Sequence, residues 1–467
     1  MTSKWNEHQF SELCDITRGA SPRPIKSFIS VEGMPWVKIA DATGSNSRYI
    51  KSTNERIKLE GVSKSKKVFP GDLILSNSAT PGLPKFMGIE ACIHDGWMLL
   101  RNFRGLNKRF AYWMLLHERK NLVQQGNGSV FINLKTDILK NHIIKIPNEG
   151  EQEAIADCLD SLQSKIELTS QTNQTLEQIA QAIFKSWFVD FEPVKAKMAV
   201  LEAGGTAEQA ELAAMSVISA TDETALKQQQ ADQPEAYTEL EQTAALFPSA
   251  MEDSQLGEIP EGWSTPLIQD VAKTIKGKSY KSTELEESTI ALVTLKSFNR
   301  GGGYRLDGLK EYTGKYKPEQ EVFAGDLIIA YTDVTQAADV IGKPAMVISD
   351  SKYDHLVISL DVAVIRPADD QLKYYLYGIA KTVHFQNHTK AHSTGTTVLH
   401  LSKTAVPEYK FTQASDELIK IYRKLTQPIF SDINENIEQN NTLSAYRDTL
   451  LPKLLSGDLP IASTEVA

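Results

Sequence analysis

Cysteine is scarce in this sequence: Cys14, Cys92 and Cys158 stand far apart and form no C-x-x-C pair. That spacing excludes a disulfide framework or a zinc knuckle and leaves buried thiols. Long apolar runs are missing as well. No stretch approaches the roughly 18 residues that a membrane-spanning helix needs. The opening Met1-Thr2-Ser3-Lys4-Trp5-Asn6-Glu7 has no apolar export core, so the chain is expected to be cytoplasmic, with no membrane partner. Catalytic signatures are also absent. Gly277-Lys278-Ser279 lacks the earlier glycine of a phosphate-binding loop, and no H-E-x-x-H, G-x-S-x-G, N-P-P-F or D-P-P-Y string occurs. An ATP-driven translocase and an amino-methyltransferase acting alone are thereby excluded.

What is present is ordinary globular material, 41% hydrophobic and 23% charged over 467 residues. This length predicts two to four domains. The net charge of −9 argues at first against a polyanionic ligand, but its distribution reverses that inference. Residues 1–147 hold 22 Lys and Arg against 12 Asp and Glu, whereas residues 148–256 hold 5 against 20. Residues 257–410 are nearly balanced, at 18 against 19. Partition by segment is expected where basic globular parts touch a polyanion and acidic parts do not. A solvated mixed surface gives the same charges without any ligand.

The strongest signal is an imperfect tandem duplication, offset by nearly 260 residues. Trp5–Gly19 answers Trp263–Gly277, "WVKIADA" from Trp36 answers "LVTLKSF" from Leu292, and "VFPGDLILS" from Val68 answers "VFAGDLIIA" from Val322. The last two pairs read as short buried strands entered through a Gly-Asp turn. Helical stretches from Arg109 and Leu372 also correspond, and each breaks at a small polar loop, Gly126–Leu134 or His392–Leu401. Tyr112, Trp113, Tyr374, Tyr375 and Tyr377 lie in these stretches at helical spacing, which places them in the core rather than on nucleobases.

Each copy then enters a heptad seam: Ile155, Leu159, Leu162, Ile166, Asn173, Leu176, Ile183 and Trp187 in the first, with Ile429, Ile433, Asn440, Leu443, Leu450 and Leu454 in the second. Asn173 and Asn440 are 267 residues apart, the same register offset as the apolar positions, and are predicted to help fix register. A helix of about 40 residues spans roughly 60 Å and leaves an apolar stripe exposed unless it finds a partner. The economical partner is the other seam, laid antiparallel, as a rod with one globular unit at each end. The alternative packs each helix on its own globular unit. Two related units on a stiff spacer suit duplex DNA, whose major-groove half-sites repeat about every 34–36 Å. The copies differ in most polar residues, so a split, asymmetric target is expected.

At this point the chain resembles the DNA specificity subunits of type I restriction-modification systems. The resemblance covers essentially the whole sequence. It rests on the duplicated strands, "AIFKSWFVDFEPVKAKM" (Ala182–Met198), "DSQLGEIPEGW" (Asp253–Trp263) and "LLPKLLSGDL" (Leu450–Leu459). It implies an α+β fold of two tandem target-recognition domains, mixed sheet plus helices, separated by two long antiparallel coiled-coil helices. The resulting partition is 1–148 for the first recognition domain, 149–198 for a central helix and 199–256 for an acidic Ala/Gln/Glu-rich helical linker. Residues 257–411 are the second recognition domain and 412–467 the closing helix. The resemblance further implies a non-catalytic chain that binds double-stranded DNA, two modification subunits and, in the full complex, restriction subunits. S-adenosylmethionine, ATP and Mg would belong to those partners, with no cofactor bound by this chain. The acidic 199–256 segment would repel DNA and is assigned to the modification subunits or to solvent, a flexible linker being the alternative.

Base edges are read by Arg, Lys, Asn, Gln, Ser and Thr, and phosphates are held by cations and loop amides. The inter-strand loops offer Arg18, Arg23, Lys26, Asn46, Arg48, Lys85, Asn127 and Ser129 in the first copy. The second offers Lys276, Lys278, Tyr280, Lys281, Arg300, Tyr304, Arg305, Lys390, Thr394 and Thr396. His384, His388 and His392 recur every four residues but have no Cys or carboxylate placed to complete a metal site. They fit a helix end facing phosphate or a merely exposed face. A competing reading is a scaffold whose two units bind proteins. Exposed heptad surface also predicts poor solubility alone, relieved by co-expression with the modification subunit.

Overall fold

The computed structural model describes residues 5–44, 47–125, 133–335 and 337–461. The chain forms two compact units, 1–169 with 440–467 and 170–439. Two 40-residue helices, Glu149–Phe188 and Asp416–Leu455, each contribute to both.

In the first unit a five-stranded sheet is built from β1 (Asp15–Arg18), β2 (Tyr49–Ile50), β3 (Leu73–Ser76), β4 (Pro84–Met87) and β5 (Trp97–Arg101), in the order β1-β5-β3-β4-β2. All its pairs are antiparallel except β2 with β4. β3 and β4 are buried at every position and carry near-continuous apolar sequence, as two-faced burial requires. A second sheet pairs Met34–Val37 parallel with Ala91–Ile93, which pairs in turn antiparallel with Lys66–Val68.

The second unit repeats this plan. β6 (Ala272–Lys276), β7 (Leu327–Ala330), β8 (Pro344–Met346) and β9 (Val362–Pro367) lie in the order β6-β9-β7-β8, all antiparallel. Ile290–Val293 runs parallel to His355–Ile358, which is antiparallel to Glu321–Val322. The recurrent strand pairs therefore occupy equivalent places in corresponding sheets. The duplication is one of folded units.

Both units fasten onto the long helices through their cores. In the first, Ile155, Ala156, Leu159, Leu451, Leu454 and Leu455 join Phe10, Phe110 and Trp113 in one cluster. In the second, Phe184, Trp187, Phe188 and Tyr422 join Tyr375, Phe385 and Trp263. Tyr112, Trp113, Tyr374, Tyr375 and Tyr377 are all buried, as their helical spacing predicts.

Within each unit the long helices run antiparallel and exchange an asparagine contact. Asn440 Nδ2 donates to Ile166 O at 3.4 Å in the first, and Asn173 Nδ2 donates to Ile433 O at 3.2 Å in the second. Donor and acceptor positions are both related by the 267-residue offset, so the contacts are equivalents. Asn436 Nδ2 adds a bond to Asn173 Oδ1 at 2.8 Å.

Residues 192–245 form four helices, Glu192–Glu202, Ala207–Ser219, Glu223–Asp232 and Pro234–Ala245. Ala214, Met215, Leu226 and Ala244 make a small core there. The Lys197 side chain is 1% exposed, its ammonium held by Glu211 Oε1 and Phe247 O, each at 2.7 Å. Two acceptors offset the large desolvation cost of that charge.

Candidate nucleic-acid interface

Strand direction decides where the candidate residues gather. β1 ends at Arg18, β3 at Ser76, and β5 begins beside both at Trp97. The loops 19–28, 77–83 and 94–96 therefore open at one end of the sheet. In the second unit β6 ends at Lys276, β7 at Ala330, and β9 begins at Val362, so loops 277–281, 331–343 and 359–361 open at the equivalent end. A further segment is anchored there in each copy: Leu134 N donates to Asn77 O at 2.9 Å, and Leu401 N to Tyr331 O at 2.9 Å. The second anchor extends into three short strands, Thr332–Asp333, Leu399–Leu401 and Ser393–Thr394.

In the first unit Arg18 and Arg23 converge on Asp95. Arg18 Nε donates to its carbonyl at 3.0 Å, and Arg23 Nη2 lies 3.7 Å from its carboxylate. The hydrogen bond from Ser21 holds the Asp95 carboxyl below its usual range, against partial burial. Asn77 Nδ2 also donates to the Asp95 carbonyl, at 2.9 Å. Arg18, Arg23 and Lys26 are exposed. Asn46, Asn127 and Ser129 lie outside the described residues.

Two first-unit candidates are corrected by the structure. Arg48 is 6% exposed and points into the first long helix: Nη1 donates to Asp160 Oδ1 at 2.5 Å, Nη2 to Ser164 Oγ at 2.7 Å and Nε to Glu167 Oε1 at 3.3 Å. With each of its nitrogens bonded to the helix and the side chain buried, this guanidinium is turned away from any base. Lys85 is 5% exposed, with its ammonium bonded to Ser47 O at 2.5 Å; burial lowers its pKa, partly offset by Glu167.

In the second unit Lys278, Lys281, Lys390, Thr394 and Thr396 reach the sheet end at least partly exposed, and Lys276 lies with its ammonium 4.3 Å above the Tyr331 ring. The Gly301–Gly303 loop packs beside them, Gly301 N donating to Asp339 O and Gly303 N to Pro344 O. Its three residues have φ of 89°, 101° and 93°, conformations that glycine alone adopts readily. Arg300 is exposed on this loop. Arg305 is exposed but engages Asp307 through Nε at 2.9 Å and through Nη2. Tyr304 is corrected: its hydroxyl is buried, its ring packs on the core, and burial pushes its pKa upward. Tyr280 packs on a small apolar cluster and accepts from Lys310 Nζ at 3.3 Å.

Sequence reasoning missed Lys343 and Lys403. Lys343 has its pKa lowered by burial, then by Lys390 and Lys381; Lys276 has its own lowered by burial, then by Lys403. Lys276, Lys343, Lys390 and Lys403 have no ion pair among the described residues. Cations that repel one another at a loop cluster are poised for a polyanion. A signal for Lys403 was present, since a Lys-Thr pair comes soon after the anchored leucine in both copies, directly at Lys135-Thr136 and after Ser402 at Lys403-Thr404. Asp333 closes the adjacent loop. Burial would raise its carboxyl, but amides of Val340, Thr335 and Ile341 hold it low.

Of the three histidines, His388 and His392 stack with ring centroids 4.1 Å apart, and His388 Nε2 lies 2.8 Å from Ala405 O. Among the described residues no group of three or more His, Cys, Asp or Glu could hold a metal ion, and no helix is long and apolar enough to cross a membrane.

Residues 2–178 match the family model for the type I restriction modification DNA specificity domain. The chain is 28% identical to the type I restriction enzyme HindI specificity subunit of Haemophilus influenzae, covering 98% of this chain and 100% of that one. It is 22% identical to the MjaIX specificity subunit of Methanocaldococcus jannaschii, over 98% and 94%. Among solved structures, the type-I restriction-modification system S subunit from M. genitalium superposes with a TM-score of 0.52 at 15% identity, covering 97% and 96%, a likeness of fold.

Proposed function

We propose that this chain is a DNA specificity subunit of a type I restriction-modification system, a reading supported by its likeness to that family model and to two specificity subunits, and that it reads a bipartite, asymmetric DNA target and is itself non-catalytic. One half-site falls to each globular unit. The observation that carries this reading is the recurrence, in both copies, of a cation-bearing loop cluster at the same sheet end. Arg18 and Arg23 supply it in the first unit, with Lys276, Lys343, Lys390 and Lys403 in the second. Different side chains on one scaffold give two readouts.

The modification and restriction subunits would dock on this chain and bring the chemistry, with S-adenosylmethionine, ATP and Mg bound by them in the cytoplasm. Two modification subunits would dock, one on each unit. Ile179 is 45% exposed and Tyr446 61% exposed, and they sit at positions related by the 267-residue offset, so each unit presents an equivalent apolar contact.

Salt dependence separates this reading from a protein-binding scaffold. For the chain assembled with its modification subunit, the logarithm of DNA affinity should fall linearly with the logarithm of salt concentration, through counterion release. A salt-insensitive complex with DNA, or none at all, would favour the scaffold.

A further inference from the structure

The first unit grips the first long helix by a polar contact that the second unit repeats in different chemistry. Glu167 Oε1 accepts the backbone N–H of Arg48 at 2.8 Å and its Nε–H at 3.3 Å. At the position 267 residues on, Asn434 Oδ1 accepts the backbone N–H of Ser349 at 3.0 Å, while Asn434 Nδ2 donates to Ser349 Oγ at 3.0 Å. In both units one side chain of a long helix captures the main chain and the side chain of a single residue in the globular part. Neighbours on the helix complete each grip: Asp160 and Ser164 hold Arg48, and Glu438 accepts from the Ser349 hydroxyl.

The helix positions are equivalent, whereas the residues they hold, Arg48 ahead of β2 and Ser349 beyond β8, are not. The gripped residues lie on the load path to the interface. Arg48 O accepts from Phe86 N at 2.8 Å on β4, and Ser349 lies just beyond β8. Apolar packing alone leaves some freedom for a unit to slide or roll on its helix, because it is non-directional. Directional bonds to a main-chain N–H remove that freedom.

We infer that Glu167 and Asn434 are positioning residues, which set the direction each unit's loops face by keying one main-chain N–H to the helix. Resting on the DNA reading above, this makes them determinants of the gap tolerated between the two half-sites, not of the bases read. The first key is ionic and the second neutral.

Two measurements on the full complex test this. The first needs no DNA: hydrogen exchange should show the Arg48 and Ser349 amides protected in the native protein. Glu167→Ala should speed exchange at Arg48 by about tenfold or more, the change expected for losing one charge-assisted bond. Glu167→Gln, which keeps the acceptor, should restore most protection; unchanged exchange in Glu167→Ala overturns the inference. The second compares binding to duplexes carrying the target with its native gap and with one base pair added or removed. Glu167→Ala and Asn434→Ala should each narrow the preference for the native gap about tenfold while leaving half-site base preferences intact. Uniform weakening at every gap length overturns the positioning role. Failure of the unaltered complex to bind DNA specifically would strike the DNA reading and leave the exchange result standing.

Discussion

The two units share a topology and differ in how they hold the helices that run through them. The first uses an aliphatic contact, Ile155 and Leu159 against Leu451 and Leu454, plus the ionic cluster at Arg48. The second uses aromatic rings: Phe188 lies 4.9 Å from Tyr375 and 5.3 Å from Tyr422 between ring centroids. A duplicated fold can therefore conserve the place of an attachment while its chemistry diverges. Aromatic packing tolerates changes in pH and salt, whereas a charged cluster responds to both.

The comparison can be broken most forcefully in the second unit. Phe188→Ala, at a site 2% exposed, should cost about 3–5 kcal/mol in the second unit, read by denaturant unfolding. Gly378→Ala at the same contact should also destabilise, because an added Cβ would come within 2.3 Å of Phe184. Next comes Arg48→Ala, which takes a buried cation from Asp160 and Glu167 and should cost about 3 kcal/mol at most, since Arg109 and Trp113 still hold Asp160 and Gln163 still reaches Glu167. Arg305→Ala removes an exposed pair and should cost about 1 kcal/mol or less. Equal losses would erase the distinction between a buried grip and a surface pair.

Lys343→Ala and Lys390→Ala invert that pattern. Both should leave the melting temperature unchanged or slightly raised, since cationic repulsion is relieved, yet each should reduce the salt slope of DNA binding by about 1. A fall in stability with an unaltered slope would remove these lysines from the interface.

The smallest effect concerns one pair of equivalent positions. Lys67 and Glu90 pair at 2.5 Å in the first unit, where the second pairs Glu321 with His355 Nδ1 at 2.6 Å. The Glu321 bond raises the His355 pKa. Its small stabilisation is complete below the ordinary histidine pKa and is lost as pH rises through the raised folded value. A proton-NMR titration should place His355 above its Glu321→Gln counterpart; equal midpoints would remove the pair's contribution.

Much of the architecture was legible because it depends on local pattern. Buried strands such as "VFPGDLILS" and "VFAGDLIIA" recur intact, and a seam interrupted by asparagine at one register predicts facing helices. The asparagine contacts appear as reciprocal equivalents for that reason. The candidate interface was only partly legible. Arg48 follows a Gly-Ser-Asn-Ser loop and looks free in sequence, but Asp160 and Glu167, which hold it, lie 112 and 119 residues away. Tyr304 beside three glycines looks equally available, yet its ring packs against the core and its hydroxyl is buried. Lys343 was overlooked because its lysine neighbours Lys381 and Lys390 are distant in sequence. Exposure and charge proximity are tertiary properties that residue type does not encode.

The most direct test of the central claim is methylome sequencing of a methylation-free host expressing this chain with its cognate modification subunit. The account predicts adenine methylation at a split, asymmetric motif, with one half-site assigned to each unit. Absence of methylation, with a stable complex confirmed, would contradict it and favour a scaffold that binds proteins.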